Sequence, residues 1–416
     1  MTTNKKQAVQ DRINDAWVKA DRNGVAIASV GVGKAKWIID RCRELVGQVK
    51  RGTVMVLTNS THLRDVGFLE ELDKWWDRDV FFDRCDIQCY QTAYKWTGQN
   101  FLAVFADEFD QSLTPEYSKF YWNNNWKYFM GLSGTLTEDQ MEMATRIAPM
   151  LFSYTVQQAQ EDGVINKVEI FVHNVPLSGL NNFDTGKGFM TSELKNITYW
   201  IKSVDELQDE VNIQRQLIKD IQSQGFVQGM GIQDIPALKW TLKGKMEHLK
   251  RKRIARARQF YSLNSLTIYA LRLQEFILDK HPEDKVLMFS KLIKMADKLG
   301  PSYHSKKKSK KTIDNFNSGE SRILSVVGSV SRGVSFVNVR HSITHSMDAS
   351  KTNFTQREVG RMVRNNPDSV SKLHILNPII NDPKKGLVDL QPKEWIKKAC
   401  VGFHTRTMNV PQWWGK

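Results

Sequence analysis

The chain has 416 residues, 41% of them hydrophobic, and this length predicts a globular protein of two or three domains rather than one core. Its formal net charge of +15 favours a polyanionic partner, either nucleic acid or an anionic membrane. No apolar run approaches the roughly 18 residues of a membrane span, and the first residues lack the apolar core of a signal peptide. We therefore expect a soluble, cytoplasmic protein with no membrane partner, in the host cytoplasm if the source is viral.

The four cysteines give no sign of a disulfide framework or a metal site. Cys42, Cys85, Cys89 and Cys400 contain no CxxC pair and lack a histidine pair at zinc spacing. We expect reduced structural thiols and no zinc.

The first third of the chain alternates short apolar runs with amphipathic stretches. The runs lie at residues 25–30, 53–58, 86–90, 101–107 and 127–134. Short and mostly apolar runs are typical of strands buried in a parallel sheet, with helices as the crossover connections. The pattern predicts an α/β domain.

The pattern changes in the middle of the chain and then returns. After a strand-like run at 167–175, long polar helical segments continue to about residue 262. Apolar strands are predicted again at 285–290, 322–329, 341–347 and 372–380. A second α/β domain is therefore expected after a mainly helical segment.

A glycine loop follows the first predicted strand. Gly31, Val32, Gly33, Lys34 and Ala35 connect that strand to an amphipathic helix. Glycines let backbone N–H groups close around phosphate oxygens at a helix N-terminus, and a lysine adds charge for the β and γ phosphates. The loop predicts nucleotide binding, although GxGK alone is equally consistent with an ordinary turn.

A pair of carboxylates ends the strand at 101–107. Asp107 and Glu108 lie at its carboxyl end, the edge where open α/β sheets bind ligands. Asp107 is predicted to hold magnesium through water, while Glu108 polarises the attacking water. The next strand ends in Ser133, Gly134 and Thr135. The hydroxyls of Ser133 and Thr135 are predicted to hydrogen-bond the acidic loop and a neighbouring domain.

Paired arginines occur in the last third. Arg361 and Arg364 are spaced i and i+3 on a predicted helix and so share a face. Two guanidinium groups on one face can reach across a cleft and stabilise charge on a γ phosphate.

Together these segments resemble superfamily II helicases and translocases, specifically the XPB-like and phage UvsW-like branch. The resemblance spans residues 5 to 366, and its specificity lies in the order of the motifs. In chain order, the segments similar to motifs I, Ia, TxQT, II, III, V and VI are VGVGKA, VLTNSTHLRD, IQCYQT, ADEFD, GLSGTLT, SRGVS and GRMVR.

The resemblance implies two RecA-like lobes in tandem, with ATP and Mg²⁺ in the cleft between them. The ATP-binding lobe is expected at 1–165, a connecting strand and helical insertion at 166–262, and the second lobe with a C-terminal tail at 263–416. Lys34, Asp107 and Glu108 belong to the first lobe, and Arg361 and Arg364 to the second.

The resemblance also implies further contacts with the nucleotide and the nucleic acid. Gln7 resembles the upstream glutamine that reads adenine, and Gly333 lies in the motif V loop. Nucleic acid would touch Thr58, Gln91 and Thr92 on one lobe and the loop near Arg332 on the other, and DNA is favoured over RNA as the track, with RNA left open. The branch favours branched or forked DNA and a setting in DNA repair or recombination.

Two departures from the family pattern concern the chemistry. Ala35 stands where a P-loop has the Ser or Thr that ligates magnesium. In motif VI the family has a glutamine three residues before the glycine of the GR pair. Here that position holds Arg357, and the glutamine, Gln356, lies one residue earlier.

Three alternatives to an unwinding motor stay open. The first is a double-strand translocase that does not unwind, and the second is a hydrolysis-deficient nucleic-acid-binding protein in which Ala35 marks decay of the motor. The third, a P-loop kinase or unrelated NTPase, leaves the second lobe and its arginines unexplained. The oligomeric state is open and includes a monomer.

Two basic clusters are candidates for phosphate contact. One comprises residues 250–253 with Arg256 and Arg258, and the other lies at 306–311. Both are expected to give salt-sensitive and sequence-independent affinity, or to be solvated charge without a partner.

Overall fold

The structure is a computed structural model. It describes residues 2–48, 53–61, 63–180, 183–184, 190–307, 309–327, 336–346, 354–362, 368–382, 386–389, 396, 400–401 and 403–409. Among the helices in these ranges, none has a hydrophobic stretch of the kind that spans a bilayer.

The first lobe is built on a six-stranded parallel sheet. Its strands are β1 (Asn23–Ala28), β2 (Val54–Thr58), β3 (Cys85–Cys89), β4 (Asn100–Asp107), β5 (Asn125–Ser133) and β6 (Met150–Tyr154). They pair in the order β3-β2-β4-β5-β1-β6, and all five pairings are parallel. The five strands predicted from apolar runs are confirmed, whereas β6 was not predicted.

Helices connect these strands, as parallel pairing requires. They are α1 (Thr2–Lys19), α2 (Lys34–Gln48), α3 (Phe68–Trp75), α4 (Arg78–Arg84), α5 (Tyr90–Ala93), α6 (Lys119–Asn123), α7 (Glu138–Ile147) and α8 (Val156–Glu161). Helix α7 begins with a capping box, in which Thr137 and Gln140 each accept a backbone N–H of the other.

The second lobe has a larger sheet that is parallel except at one strand. It contains β7 (Lys167–Pro176), β12 (Lys285–Ser290), β13 (Ser302–Tyr303), β14 (Ile323–Val327), β15 (Val339–Thr344), β16 (Val370–Asp382), β17 (Gly386–Asp389) and β18 (His404–Met408). The order is β13-β14-β12-β15-β16-β7-β18, and β17 pairs antiparallel with β16. The helices α11 (Asn264–Lys280), α12 (Ile293–Lys298) and α13 (Lys310–Ser318) belong to this lobe. The predicted fold of two parallel-sheet α/β lobes is confirmed.

Strand β7 lies inside the second sheet. The sequence assigns residues 167–175 to the segment connecting the lobes, but β7 pairs in parallel with β16 on one side and β18 on the other. Ile170 of β7 and Ile375 of β16 also join an apolar cluster that contains Trp17 and Phe105 of the first lobe. The core is therefore continuous between the lobes at this strand.

The helical segment is a long antiparallel hairpin, which we call the arm. It consists of α9 (Glu193–Gln224), a crown made of β10 (Phe226–Val227) and β11 (Met230–Gly231), and α10 (Ile235–Tyr261). A minor ladder precedes it, β8 (Phe183–Asp184) with β9 (Met190–Thr191). Because β7 precedes the arm and α11 follows it, the arm is an insertion in the second lobe.

The base of the arm is fixed by the carboxylate of Glu193, which is 1% exposed. This carboxylate accepts the backbone N–H of Ser265 at 3.0 Å and that of Ser178 at 3.3 Å. Ser265 opens α11 and Ser178 follows β7, so one side chain ties the arm to both of its flanking elements.

A row of buried histidines crosses the second sheet, and we call it the histidine relay. The Tyr269 hydroxyl lies 3.0 Å from His173 Nδ1, and His173 Nε2 lies 2.9 Å from His374 Nδ1. His374 Nε2 lies 3.4 Å from His341 Nδ1, and His341 Nε2 lies 3.3 Å from Asp284. The relay thereby links α11, β7, β16 and β15 to the turn before β12.

The two ends of the relay set the direction of every hydrogen bond in it. Burial raises the pKa of Tyr269 well above its usual value, so its hydroxyl is a donor at the first end. A carboxylate accepts at the other end, and each imidazole in between therefore carries its proton on Nε2 and accepts on Nδ1. Burial lowers the pKa of His173 and of His341 to about 4 and that of His374 well below the usual value. The relay is a chain of neutral rings.

Candidate nucleotide-binding site

The glycine loop adopts a conformation that requires glycine. Gly31 and Gly33 both have φ of 87°, in the left-handed region that residues with a side chain rarely adopt. A Cβ on Gly33 would lie 2.5 Å from the amide nitrogen of Gln10. Helix α2 begins at Lys34, so the loop places backbone N–H groups at a helix N-terminus, where anions bind.

The Lys34 ammonium lies over the carboxyl end of β1. It donates to the carbonyl of Ala28 at 3.1 Å and to that of Ser29 at 3.4 Å. The following residue, Ala35, offers no hydroxyl to a metal, so the loop supplies one positive charge and backbone donors only.

Gln10 of α1 contacts the loop, a residue that the sequence did not single out. Its side chain is 4% exposed, and its Nε2 donates to the carbonyls of Val32 at 2.9 Å and Gly33 at 3.3 Å. Its Oε1 is buried with no hydrogen-bond partner among the described residues. The sequence feature that could have pointed to Gln10 is its position directly after Val9, on the face of α1 that is buried.

Gln7 lies one turn earlier on the exposed face of α1. Its amide donates to Asp11 at 2.9 Å and accepts from the Lys36 ammonium at 3.2 Å. Its assignment to adenine stays a prediction, and Gln10 is the glutamine that touches the loop.

Asp107 ends β4 in a half-buried position beside the loop. Burial is the largest cause that raises the pKa of its carboxyl, to about 7, and the charge of Glu108 adds to it. The Lys34 ammonium acts in the opposite sense. Asp107 therefore sits where a nearby cation would favour its ionised form.

Glu108 is held in a strained conformation with a free carboxylate oxygen. Its φ of 51° and ψ of 48° are left-handed, which costs a residue with a side chain about 1–2 kcal/mol. Its Oε2 is buried with no hydrogen-bond partner in the described part of the chain. Strain and an unused buried acceptor together are typical of a residue placed for chemistry.

The segment after β5 contacts the acidic loop through Ser133, whereas the Thr135 hydroxyl is buried with no hydrogen-bond partner among the described residues. The Ser133 hydroxyl donates to Asp110 Oδ1 at 2.9 Å and to the carbonyl of Thr135 at 2.8 Å. The Asp110 backbone carbonyl also accepts from Gln140 at 3.0 Å. Ser133 is thus tied to the loop that carries Glu108, and the coupling role of Gly134 and Thr135 stays a prediction.

The residues present fit a magnesium ion only if the nucleotide shares its coordination. No cluster of three or more His, Cys, Asp or Glu suited to a metal occurs in the described ranges. Magnesium is commonly bound by one or two carboxylates plus substrate phosphates and water. Asp107 would be that carboxylate, and the free Oε2 of Glu108 stays available for a water molecule.

The predicted nucleic-acid contacts of the first lobe differ in accessibility. Gln91 and Thr92 are exposed on α5, at the carboxyl edge of the sheet. Thr58 at the end of β2 is 1% exposed, and its hydroxyl donates to the carbonyl of Ser60 at 3.4 Å. Gln91 in turn donates to the carbonyl of Asn59 at 2.9 Å, which joins α5 to the loop after β2.

In the second lobe, Arg361 lies on a short helix, Gly360–Met362, that follows a π-helical turn, Phe354–Val359. Its side chain is 5% exposed. Glu358 beside it accepts a hydrogen bond from Thr344 at the end of β15 at 2.5 Å. The other three predicted residues, Arg332, Gly333 and Arg364, lie outside the described residues.

Comparison with known proteins supports a helicase-type second lobe. Residues 269–366 match the family described as Helicase conserved C-terminal domain. No curated protein matches the chain.

Two solved structures resemble the whole chain. The ATP-dependent Type ISP restriction-modification enzyme LlaBIII bound to DNA gives a TM-score of 0.58 at 12% identity, over 97% of this chain and 31% of that one. This chain thus spans about a third of that enzyme, and the likeness shows a shared fold. The Hef helicase domain of Pyrococcus furiosus gives a TM-score of 0.46 at 12% identity, over 89% of this chain and 94% of that one.

Proposed function

We propose that the protein is a magnesium-dependent ATPase that moves along or unwinds nucleic acid, with DNA as its track. The observation that carries the proposal is the convergence of Lys34, Asp107 and Glu108 at one edge of the first sheet. Lys34 and Glu108 both act on the carboxyl of Asp107, and the family match at residues 269–366 supports a helicase or translocase rather than a kinase.

The first lobe would bind the nucleotide and activate water. The loop N–H groups and the Lys34 ammonium would hold the β and γ phosphates, and magnesium, when bound through Asp107, would neutralise charge on them. Glu108 Oε2 would accept a proton from the attacking water, since it has no competing partner among the described residues.

The second lobe would complete the site. Arg361 and Arg364 are the groups we assign to the charge that develops on the γ phosphate, and Gly333 is assigned to the nucleotide. Gln91 and Thr92 would contact the nucleic-acid backbone from the first lobe, and Arg332 from the second. Separating a base-pair step costs about 1.4 kcal/mol on average, so unwinding must be coupled to ATP turnover or to re-annealing.

The resemblance to the XPB-like and UvsW-like branch favours forked or branched DNA within this proposal. A double-strand translocase is separated from a helicase by strand displacement, which only the helicase shows. Ala35 specifically favours the other class of protein, a nucleic-acid-binding protein that does not hydrolyse ATP, because the loop lacks the hydroxyl that ligates magnesium.

The test is magnesium-dependent ATP hydrolysis without nucleic acid and then with single-stranded DNA, forked DNA and RNA. Lys34→Ala should abolish turnover. Lys36→Ala is the matched control, because Lys36 lies two residues away and pairs with Asp40 at 2.7 Å. Stimulation by one polymer identifies the track. If turnover with every polymer is no higher than that of Lys34→Ala, the motor proposal fails, and the alternative of a nucleic-acid-binding protein without ATP hydrolysis takes its place.

A further inference from the structure

The helices of the arm meet along a regular apolar seam. On α9 the seam residues recur at alternating intervals of three and four, at 204, 207, 211, 214, 218 and 221. On α10 they recur at 235, 238, 242 and 249, at intervals of three, four and seven. This spacing is that of a coiled coil. At the α9 seam, Gln214 donates to the carbonyl of Leu238 at 2.9 Å. The arm is therefore a stiff rod, and 27 residues make α10 about 40 Å long.

The two helices differ sharply in charge. Helix α10 has nine lysines and arginines against one glutamate, whereas α9 has six acidic residues against four basic ones. The acids of α9 neutralise the inner flank of α10. Lys245 pairs with Glu210 at 3.0 Å, and Asp205 acts on Arg256, whose pKa burial lowers. The positive charge that remains lies on the outer face of α10.

That outer face is cationic and interrupted by apolar side chains. Lys239, Lys243, Lys250 and Ile254 are spaced by four, seven and four residues, so they share one face of the helix. The three lysines are exposed, and within the described residues they have no ion-pair partner. The same face carries Trp240, which is 79% exposed.

Beside this face, α9 and α10 form a groove of about 640 Å³. Its apolar lining includes Val211, Met246 and Leu249, and three cations border it. These cations are Arg215, Lys250 and Arg253. The apolar floor of this groove suits the bases of a nucleic-acid strand, and the cationic rim suits its phosphates, which lie outside the bases.

The crown at the end of the arm is a tight β-turn that exposes apolar side chains. Gln228 and Gly229 have φ of 52° and 79°, and two successive positive values belong to the two-residue turn that closes rigid hairpins. Phe226 is 64% exposed and Ile232 is 61% exposed. Large apolar groups held in water at the tip of a rod indicate a surface that is covered when the protein works.

We propose that the arm binds a duplex at its junction with single strands, with the basic face of α10 along the backbone and the crown against the terminal base pair. The arm exceeds one helical turn of duplex, about 34 Å, so its lysines can follow the phosphates. Phe226, Ile232 and Trp240 offer flat or apolar surfaces on which an end base pair stacks. An acidic protein partner would use the lysines but leave the crown unexplained.

The inference rests on the proposed function, so its first test uses no ATP. Forked DNA with 2-aminopurine at the junction is bound to the full-length protein, and anisotropy and base fluorescence are measured over a range of salt concentrations. Lys239→Ala with Lys243→Ala and Lys250→Ala should weaken fork binding. It should also reduce the slope of log affinity against log salt by up to about 3, since each phosphate contact contributes about 0.9.

The crown variant combines Phe226→Ala and Ile232→Ala, at and next to the crown, with Trp240→Ala on the adjoining turn of α10. It should abolish the 2-aminopurine signal while fork affinity falls less than tenfold. Trp122→Ala is the matched control, because Trp122 is 53% exposed on the first lobe. With ATP, the crown variant should keep DNA-stimulated hydrolysis within twofold and lose at least tenfold in fork unwinding.

The outcomes separate the two proposals. If Lys34→Ala retains the salt slope and the junction signal while no variant hydrolyses ATP, the arm proposal stands and the motor proposal fails. Unchanged slope and unchanged junction signal in the arm variants would overturn the arm proposal whatever the ATPase result. Binding of an acidic protein by the lysine face, with an unaltered response to forked DNA, would overturn it as well.

Discussion

Acidification should open the second lobe selectively, because burial disfavours a positive charge on each imidazole of the histidine relay. Each relay imidazole donates through Nε2 and accepts through Nδ1. A protonated His341 would present its second N–H to His374 Nε2, which is itself a donor, and a protonated His173 would need the Tyr269 hydroxyl to turn and accept. In the unfolded chain the same histidines titrate freely near about 6.5.

The direction and magnitude of this loss of stability follow from the lowered pKa values of the relay histidines. Because burial depresses the folded pKa of His173 and of His341 to about 4, their contribution to stability is complete above the unfolded pKa. It is lost as the pH falls from there towards 4. At pH 5.5 each histidine loses about 1.4 kcal/mol, so the three relay rings lose about 4 kcal/mol together. Nearby charges contribute as well, and Lys372 and His281 oppose protonation of His341 while Asp284 favours it.

Hydrogen exchange measures this loss lobe by lobe. Protection factors of β7 and β16 between pH 5 and 8, corrected for the intrinsic exchange rate, give the free energy of opening. The strands of the first sheet, which contain no histidine, are the internal control, and the raised pKa of Asp107 gives them a pH dependence of the opposite sign. His173→Gln should reduce the pH slope of β16 opening by about 1.4 kcal/mol per pH unit. The exposed His248→Gln on the arm is the matched control. Equal pH slopes in both lobes, or an unchanged slope in His173→Gln, would refute the reasoning.

Three predictions concern the nucleotide site. Glu108→Gln should lower ATP hydrolysis by about 10²–10⁴-fold, as loss of a general base does, while a fluorescent ATP analogue still binds; a turnover near that of the parent would rule Glu108 out. Asp107→Asn should abolish magnesium-dependent turnover yet raise the melting temperature of the first lobe at pH 8. The stabilisation is at most about 4 kcal/mol, because the raised pKa of about 7 makes the ionised carboxyl a cost that grows between pH 4 and 7. An equal melting temperature at pH 8 would contradict this. Gly33→Ala should cost about 1–2 kcal/mol and weaken ATP binding, because its φ is left-handed and Gln10 blocks the Cβ. Gly47→Ala on α2, where a Cβ meets nothing within 4 Å, should cost nothing in thermal unfolding, and equal losses for the two would show that the loop conformation is unimportant.

The sequence determined the features that depend on neighbouring residues. The strand, glycine loop and helix around Lys34 could be predicted because a buried strand, left-handed glycines and a helix start all have local signals. The position of Asp107 and Glu108 followed similarly, since the carboxyl end of an apolar strand is visible in the sequence. The coiled-coil arm could be predicted as helical from its polar composition and period.

Tertiary structure decided what depends on distant residues. Gln10 rather than Gln7 contacts the loop because α1 packs with the face that carries Val9 and Gln10 turned inward, and the sequence alone did not single out Gln10. Strand β7 joins the second sheet through pairing with β16, some two hundred residues away, and no local pattern selects that partner. The relay likewise brings His173, His341 and His374 together from three strands. Each of these contacts is fixed by sheet order and burial, which arise only when the whole chain has folded.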